Sequence, residues 1–491
     1  MPFPRALQTS LAALAVSLAI GGCASTHGLA PSDRPMDPGQ LASARTLGGF
    51  SRADFPTLDW WNAFGDPQLG ALIDEALAGN PSLAAADARV REAIAQAGLA
   101  EAATQPSVGA GAQYSGIRIP SSVAPAPLGG TYKGVILLTL NLKYDPDFWG
   151  GKRARWEAAL GQARASEVDA QAARLLLAAN VASAYIGLAQ AQAAHDVAID
   201  ETARASHLLD LSRQRAKAGI DSQLPLRQAE SSVASAQQQA QAAQQQIDAA
   251  RNALAALLGK GPDRGRDITA PALLQAPAPG VPTLVPSELL GHRPDIVAAR
   301  WRVEAARQGI RSSKAAFYPT VNLAAMIGLA SGGLSNLFNA DSAFVQGGPA
   351  ISLPIFDGGG LRSQLARSDA EYDLAVASYN QSLVSALHEV ADALQDARAL
   401  ESQIASSQTA ADAARAAWQL AQARYHAGLG TQLDVLAAQQ PLLQLEQQVT
   451  ALRAQRLIAA VDLDRALGGG LTPVAPTTST TDPALAKAPT P

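Results

Sequence analysis

The sequence predicts a mainly α-helical protein built as two duplicated halves, each carrying two strands and a long helical hairpin. Three observations predict it: two very long stretches without helix breakers, a repeat at a fixed offset, and short segments whose period switches from helical to alternating. From Leu361 to Ala427 no proline interrupts 67 residues rich in Ala, Leu, Gln, Arg and Glu, which are good helix formers. Leu383, Leu387, Val390, Leu394 and Ala397 alternate steps of four and three, the seam spacing of helices packed side by side. At a rise of about 1.5 Å per residue such a helix extends roughly 100 Å, far more than one globular core requires.

The second observation is the repeat. KAGIDSQLPL from Lys217 and HAGLGTQLDVL from His426 place Gly219 and Gly428 at an offset of 209. Val181-Ala182 and Val390-Ala391 keep that offset, as do Leu258-Gly259 and Leu467-Gly468. Upstream, NPSL at Asn80 matches RPDI at Arg293 with an offset of 213, and Pro106 matches Pro319 likewise. Solenoid repeats run about 20–50 residues, so a unit this long is half of a fused body. Lys152 to Ala218 gives the first half a 67-residue helix to match the second, and Ser222–Leu258 and Thr431–Leu467 are return helices of 37 residues each. The shorter helices that precede the strands, such as Gln68 to Thr104, have about the length needed to complete the returns if stacked end to end.

Taken in order, Met1 to Gly22 carries Arg5, an apolar run from Leu11 to Ile20 and then small residues. That is a secretory signal, too short to span a membrane. Residues 23–65, with Pro31, Pro35 and Pro38, read as a linker. Asp66 to Gln105 is a helical pair, started by Asp66-Pro67 and broken at Asn80-Pro81, because Pro favours the first helical position. Ser107–Ile119 and Tyr132–Tyr144 then alternate: Ile136, Leu138, Leu140, Leu142 and Tyr144 share one face, Thr139, Asn141 and Lys143 the other. Val321, Leu323, Ala325, Ile327 and Leu329 repeat the pattern, with Phe344–Ile355 as partner. Four strands cannot close a barrel, and an open sheet leaves bare edges. An apolar outer face suits a membrane barrel shared between chains; a small sheet capping a helical body is the soluble alternative. Residues 261–289, rich in Pro and Ala, link the halves and are expected on the outside of the body. The tail 471–491 turns to Pro, Thr and Ala and is expected to be disordered.

Composition excludes several functions. The net charge is −4 with 16% charged residues, which gives no basic footprint for nucleic acid. A single cysteine excludes a disulfide framework and a thiolate metal cluster. His388-Glu389 has no second histidine at helical spacing, and Gly358-Gly359-Gly360 has no Lys-Ser/Thr after it, so neither a zinc-protease motif nor a phosphate loop is present. The sequence offers no catalytic residues and no metal site, and is read as a non-enzyme.

Several motifs carry a family resemblance over nearly all of Cys23 to Gly470. They are DWWNAFGDPQLGALIDEAL from Asp59, DFWGGKRARWEAA from Asp147, HRPDIVAARWRVEAAR from His292, FYPTVNL from Phe317, LPIFDGGGLR from Leu353 and the AG turn followed by TQLDVL. The chain resembles the TolC-like outer-membrane factors, and within them the NodT-type efflux lipoproteins. The resemblance implies a homotrimer whose 12-stranded β-barrel continues into a periplasmic α-helical barrel. It divides the chain into repeats 66–260 and 290–470. Ile20-Gly21-Gly22-Cys23 resembles a lipoprotein processing box, which implies cleavage before Cys23 and its N-acyl and S-diacylglycerol modification, with Ala24 favouring the outer membrane over the inner; no other cofactor is implied.

By the same resemblance Tyr425, Thr431 and Asp434 belong to the channel gate, where three Asp434 carboxylates would form an acidic ring. A helix-start Asp favoured by the macrodipole is the plain alternative. Gly430 and Ala437 stand where other members can carry an arginine and a second aspartate. Ala218, Gly219 and Ile220, with Ala427, Gly428 and Leu429, are the implied contacts for a periplasmic adaptor. An inner-membrane pump of the RND class or similar completes the implied small-molecule efflux system. A protein-secretion duct, or a structural coiled-coil lipoprotein without a pore, are the alternative readings.

Overall fold

The computed structural model describes residues 26, 28–37, 41, 56–123, 125, 127, 129–275 and 292–470. The signal segment, Cys23 and the tail 471–491 lie outside the described residues, as does most of the linker that follows Cys23. In chain order come α1 (Pro67–Gly79), α2 (Pro81–Ala102), β1 (Ser107–Arg118), β2 (Tyr132–Tyr144), α3 (Gly151–Lys217), α4 (Gln223–Leu257) and the single turn α5 (Asp263–Arg266). The second half follows as α6 (Pro294–Ala315), β3 (Thr320–Ser331), β4 (Ala343–Ser352), α7 (Gly360–His426) and α8 (Gln432–Ala466). The long helices α3 and α7 are 67 residues each and the returns 35 each. Each return is two residues shorter than the sequence reading because Ser222 and Thr431 serve as N-caps and Leu258 and Leu467 as C-caps. All four helices keep the offset of 209 at both ends.

The described residues group into two compact units. One takes in Arg89–Ser166 and Ala299–Asn380 with the residues up to Pro35. Its four strands form one antiparallel sheet in the order β1-β2-β3-β4. The register brings Val108, Leu142, Ala325 and Gly347 into line across the sheet, and Ala110, Leu140, Ile327 and Val345 beside them. One face is therefore apolar from edge to edge, while Gly109, Asn141, Met326 and Gln346 belong to the opposite face. The apolar face is bare on the single chain: Leu140 is 48% exposed, Ile327 54% and Val345 78%. Both edges, β1 and β4, lack a strand partner among the described residues, so the sheet is unfinished without further copies. β4 ends at Ser352, short of the expected Ile355, ahead of Pro354, which has no N–H to donate to a ladder. In the same unit Ser32 and Asp33 donate to the Asp373 carboxylate from their backbone N–H groups and from the Ser32 hydroxyl.

The other unit, Glu167–Ala298 and Gln381–Pro491 with Met36–Ala88, holds the main core. Trp60, Phe64, Leu69 and Ile73 pack there with Tyr185, Ile186, Leu254, Leu457 and Val461. The seam residues Leu383, Val390 and Leu394 are buried as their spacing predicts. Arg293 is 6% exposed and donates to Asp295, to Glu389 and to the Ala466 carbonyl. It thereby satisfies an orphan carbonyl at the end of α8. Gly468 is required where the chain passes His292, since a Cβ there would lie 1.7 Å from the carbonyl oxygen. The described start of the 261–289 linker runs over the surface, with Pro262, Asp263, Arg266, Asp267, Thr269 and Ala270 exposed. Ile268 and Leu273 anchor it in the core beneath, and Arg264 pairs with Glu75 at 2.9 Å, because burying the two apolar side chains holds the segment against the body.

Candidate functional site

The two hairpin turns have the same backbone. In the first, the Gly219 N–H reaches the Ala216 carbonyl and the Ile220 N–H the Arg215 carbonyl; in the second, Gly428 reaches Tyr425 and Leu429 reaches Arg424. This is the Schellman closure of a helix, which needs a left-handed residue. Gly219 and Gly428 supply it with φ of 71° and 74°. A Cβ at either position would meet open space for 4 Å around, so backbone conformation alone demands glycine there. Ala218, Gly219, Ile220, Ala427, Gly428 and Leu429 are all exposed. Two more apolar residues, Leu224 and Leu433, are about as exposed as Ile220 and Leu429. Each sits on the first turn of its return helix.

Below the tips the two turns differ. Arg215, in the last turn of α3, donates to both oxygens of Asp221 at 2.8 and 3.2 Å. Its guanidinium also lies 4.7 Å from the centre of the Tyr425 ring. The Tyr425 hydroxyl donates to the same Asp221 carboxylate at 3.1 Å. Tyr425 is 1% exposed and packs against Leu208 and Val435. The Arg215 hydrogen bond holds the Asp221 carboxyl below the usual carboxylate range, with burial opposing. Burial raises the Tyr425 phenol, so it stays a donor. In the other turn Gly430 replaces Asp221, and the first-half counterpart of Tyr425 is Ala216. One carboxylate from the first turn thus clasps one aromatic residue from the second.

Asp434 and Thr431 are exposed and bonded to each other. Thr431 donates to Asp434 Oδ2 through its N–H at 2.8 Å and its hydroxyl at 2.9 Å, and its oxygen accepts the Asp434 N–H. This reciprocal pair is a capping box at the start of α8. The Thr431 bonds hold the Asp434 carboxyl below its ordinary value. The structure therefore joins Asp434 to Thr431 and Tyr425 to Asp221, as two separate pairs. Gln432, between them in sequence, is 4% exposed, and neither atom of its amide has a partner among the described residues. Further along the hairpins, Gln439 donates to Glu201, Arg204 bridges Glu201 and Glu446, and Arg415 also reaches Glu446. Burial raises the Glu201 carboxyl. Arg215, Asp221 and this network escaped the sequence reading, because Tyr425–Asp221, Gln439–Glu201 and Arg204–Glu446 join residues more than two hundred positions apart, which leaves no local pattern. Among the described residues no group of three or more His, Cys, Asp or Glu is placed to hold a metal.

This arrangement ties the second hairpin turn to the first within one chain by polar contacts. The chain is similar to proteins of matching architecture. The profile of the family described as outer membrane efflux protein matches residues 72–260 and 285–469. The fusaric acid resistance protein FusA of Burkholderia cepacia is 40% identical over 367 residues, 74% of this chain and 69% of that protein. The outer membrane protein OprJ of Pseudomonas aeruginosa is 33% identical over 94% of this chain and 95% of its own length. The crystal structure of the outer membrane protein VceC of Vibrio cholerae superposes with a TM-score of 0.79 at 37% identity, covering 85% of this chain and all of that one. With its duplicated hairpins, its unfinished four-stranded sheet and these relatives, the chain belongs to the outer membrane efflux protein family.

Proposed function

We propose that three copies of the chain form one exit duct for small molecules, closed at its periplasmic mouth by the hairpin tips. The duct serves an efflux system in which a periplasmic adaptor meets the tips and an inner-membrane pump supplies the energy. The observation that carries this reading is the asymmetric clasp of Tyr425 by Asp221 and Arg215. It ties the second hairpin to the first within a protomer, just behind the exposed apolar residues available to an adaptor. Asp434, exposed beside it, adds a carboxylate per copy. In a trimer, convergent carboxylates favour cations and disfavour anions. Resistance named for the relatives favours small organic compounds as cargo. Acylation of Cys23 would tether the chain to the outer membrane.

Single-channel conductance in a planar bilayer tests the reading. Wild-type protein is expected to conduct weakly with cation preference. Asp221→Ala, which frees Tyr425, raises conductance, and Asp434→Ala weakens the cation preference. Conductance unchanged by Asp221→Ala removes the clasp from the gate, and absence of any conductance from folded protein ends the duct reading.

A further inference from the structure

The helices join the sheet at one end: α2 enters β1, β2 leaves into α3, α6 enters β3 and β4 leaves into α7. In an outer-membrane barrel that end faces the periplasm, level with the phospholipid leaflet. The β2–α3 corner, residues 145–150, is built differently from its duplicate. Phe148 is 68% exposed and Trp149 52% exposed. The Trp149 ring is fixed, stacked on Tyr318 with centroids 4.7 Å apart, and its indole N–H donates to the Pro319 carbonyl at 2.7 Å. Phe148 and Trp149 wall a hollow of about 250 Å³ that Asp145, Asp147, Lys152 and Arg155 also line.

Charge at this corner is nearly all spoken for. Lys152 pairs with Asp145 at 3.1 Å, and Asp147 caps α3 by accepting the Arg153 N–H at 2.7 Å. Glu157 receives Arg153 at 3.1 Å and Arg311 at 3.6 Å. Arg155 is exposed, lines the hollow and has no ion pair or hydrogen bond among the described residues. An arginine beside an aromatic wall at a membrane interface offers a planar fork for a phosphate and an apolar surface for the acyl chains next to it. The duplicate corner before α7 keeps an exposed phenylalanine, Phe356 at 91%. At the offset of 209, Asp357 and Gly358 take the positions of Phe148 and Trp149, Phe356 standing one residue earlier, and Leu361 and Gln364 take those of Lys152 and Arg155. Interfacial contact alone explains the phenylalanines; it does not explain a fixed tryptophan and an unpaired arginine at one corner of two.

We propose that the β2–α3 corner binds the headgroup phosphate of a phospholipid of the periplasmic leaflet, with Arg155 on the phosphate and Phe148 and Trp149 against the lipid's glycerol and acyl region. The site rests on the barrel's place in the membrane and not on the gate. Each protomer carries one such site, so bound phospholipid would fix the height of the barrel in the bilayer at one corner per chain.

Native mass spectrometry of the purified, intact protein in detergent tests this, with dimyristoyl phosphatidylglycerol and dimyristoyl phosphatidylethanolamine added as probes. Lipid is expected to remain bound to wild type. Arg155→Ala weakens binding roughly tenfold, as loss of a charge-assisted bond to phosphate does. Trp149→Ala weakens it, Arg155→Lys restores part of it, and Gln364→Ala at the duplicate corner leaves it unchanged. Inorganic phosphate at millimolar concentration leaves the lipid in place. Equal lipid retention by wild type, Arg155→Ala and Trp149→Ala overturns the proposal, and so does displacement of lipid by inorganic phosphate, which would mark a site for free anions. Oligomeric mass, read in the same spectra, separates lost lipid from lost assembly.

Discussion

Asp464 and Asp221 are carboxylates whose surroundings push them in opposite directions, and the consequences for pH differ in sign. Asp464 lies on α8 beside a shallow cavity lined by Thr57, Asp59, Trp60 and Asn62, and burial pushes its carboxyl up to about 7. Asp59, the other carboxylate there, is held low by Thr57 and Asn62, so it stays charged and does not share the titration. A raised folded-state value means that the native protein holds the proton more tightly than the unfolded chain. Stability therefore falls as pH rises from about 4 to about 7 and is level beyond, by at most about 4 kcal/mol. Denaturation midpoints at pH 5 and pH 8 measure it: wild type is expected to lose stability between them, and Asp464→Asn to lose clearly less. Asp221 behaves conversely. Its lowered value means the clasp contributes fully above the unfolded carboxylate value of about 3.9 and is lost as pH falls through the lower folded value. Conductance is expected to stay low from pH 8 down to the ordinary carboxylate value of about 3.9 and to rise only as pH falls further, through the lowered folded value; a rise already between pH 7 and 6 would assign the closure to another group.

At the scale of elements, helix length and the duplication were legible in the sequence, because glycine, proline and period are local signals. Gly219 and Gly428 mark the turns through a backbone requirement that no other residue meets cheaply. Gly428→Ala is expected to cost about 1 kcal/mol at that turn. Hydrogen exchange measures the effect. The Leu429 amide, which closes the second turn on the Arg424 carbonyl, loses roughly fivefold in protection, while Ile220 in the other turn keeps its own. Unchanged protection at Leu429 would show that the positive φ is dispensable. The contacts between elements were not legible. Tyr425 and Asp221 are joined by the packing of two hairpins, and nothing in either local sequence names the partner. The resemblance pointed to Tyr425 and Asp434 together, whereas each is bonded to a different residue. The linker shows the same limit: its Pro and Ala content places it on the surface, but that Ile268 and Leu273 anchor it depends on the core beneath.

For the whole molecule, the strongest physical constraint is a sheet that one chain leaves unfinished, with bare edges and a bare apolar face. Alternation along β2 had suggested the two faces, and the register across all four strands extends them from edge to edge. A soluble sheet capping a helical body would bury one face on that body; here Leu140 stays 48% exposed. Adjacent residues on β2 provide the test. Leu140 belongs to the apolar face, and Thr139, which accepts a bond from Asn141, to the polar one. Near the bilayer midplane an arginine on the lipid side costs about 2–4 kcal/mol per chain, and one on the lumen side avoids that cost. Leu140→Arg is expected to lower the dissociation temperature of the membrane-extracted oligomer on unheated gels and reduce its yield. Thr139→Arg leaves oligomer and yield near wild type and shifts ion selectivity towards anions. If both substitutions destabilised equally, the two faces would be equivalent and the barrel would not be set in lipid as the register requires. If Thr139→Arg alone were damaging, the sheet would be inside out, with its polar face packed against protein and its apolar face turned to the lumen.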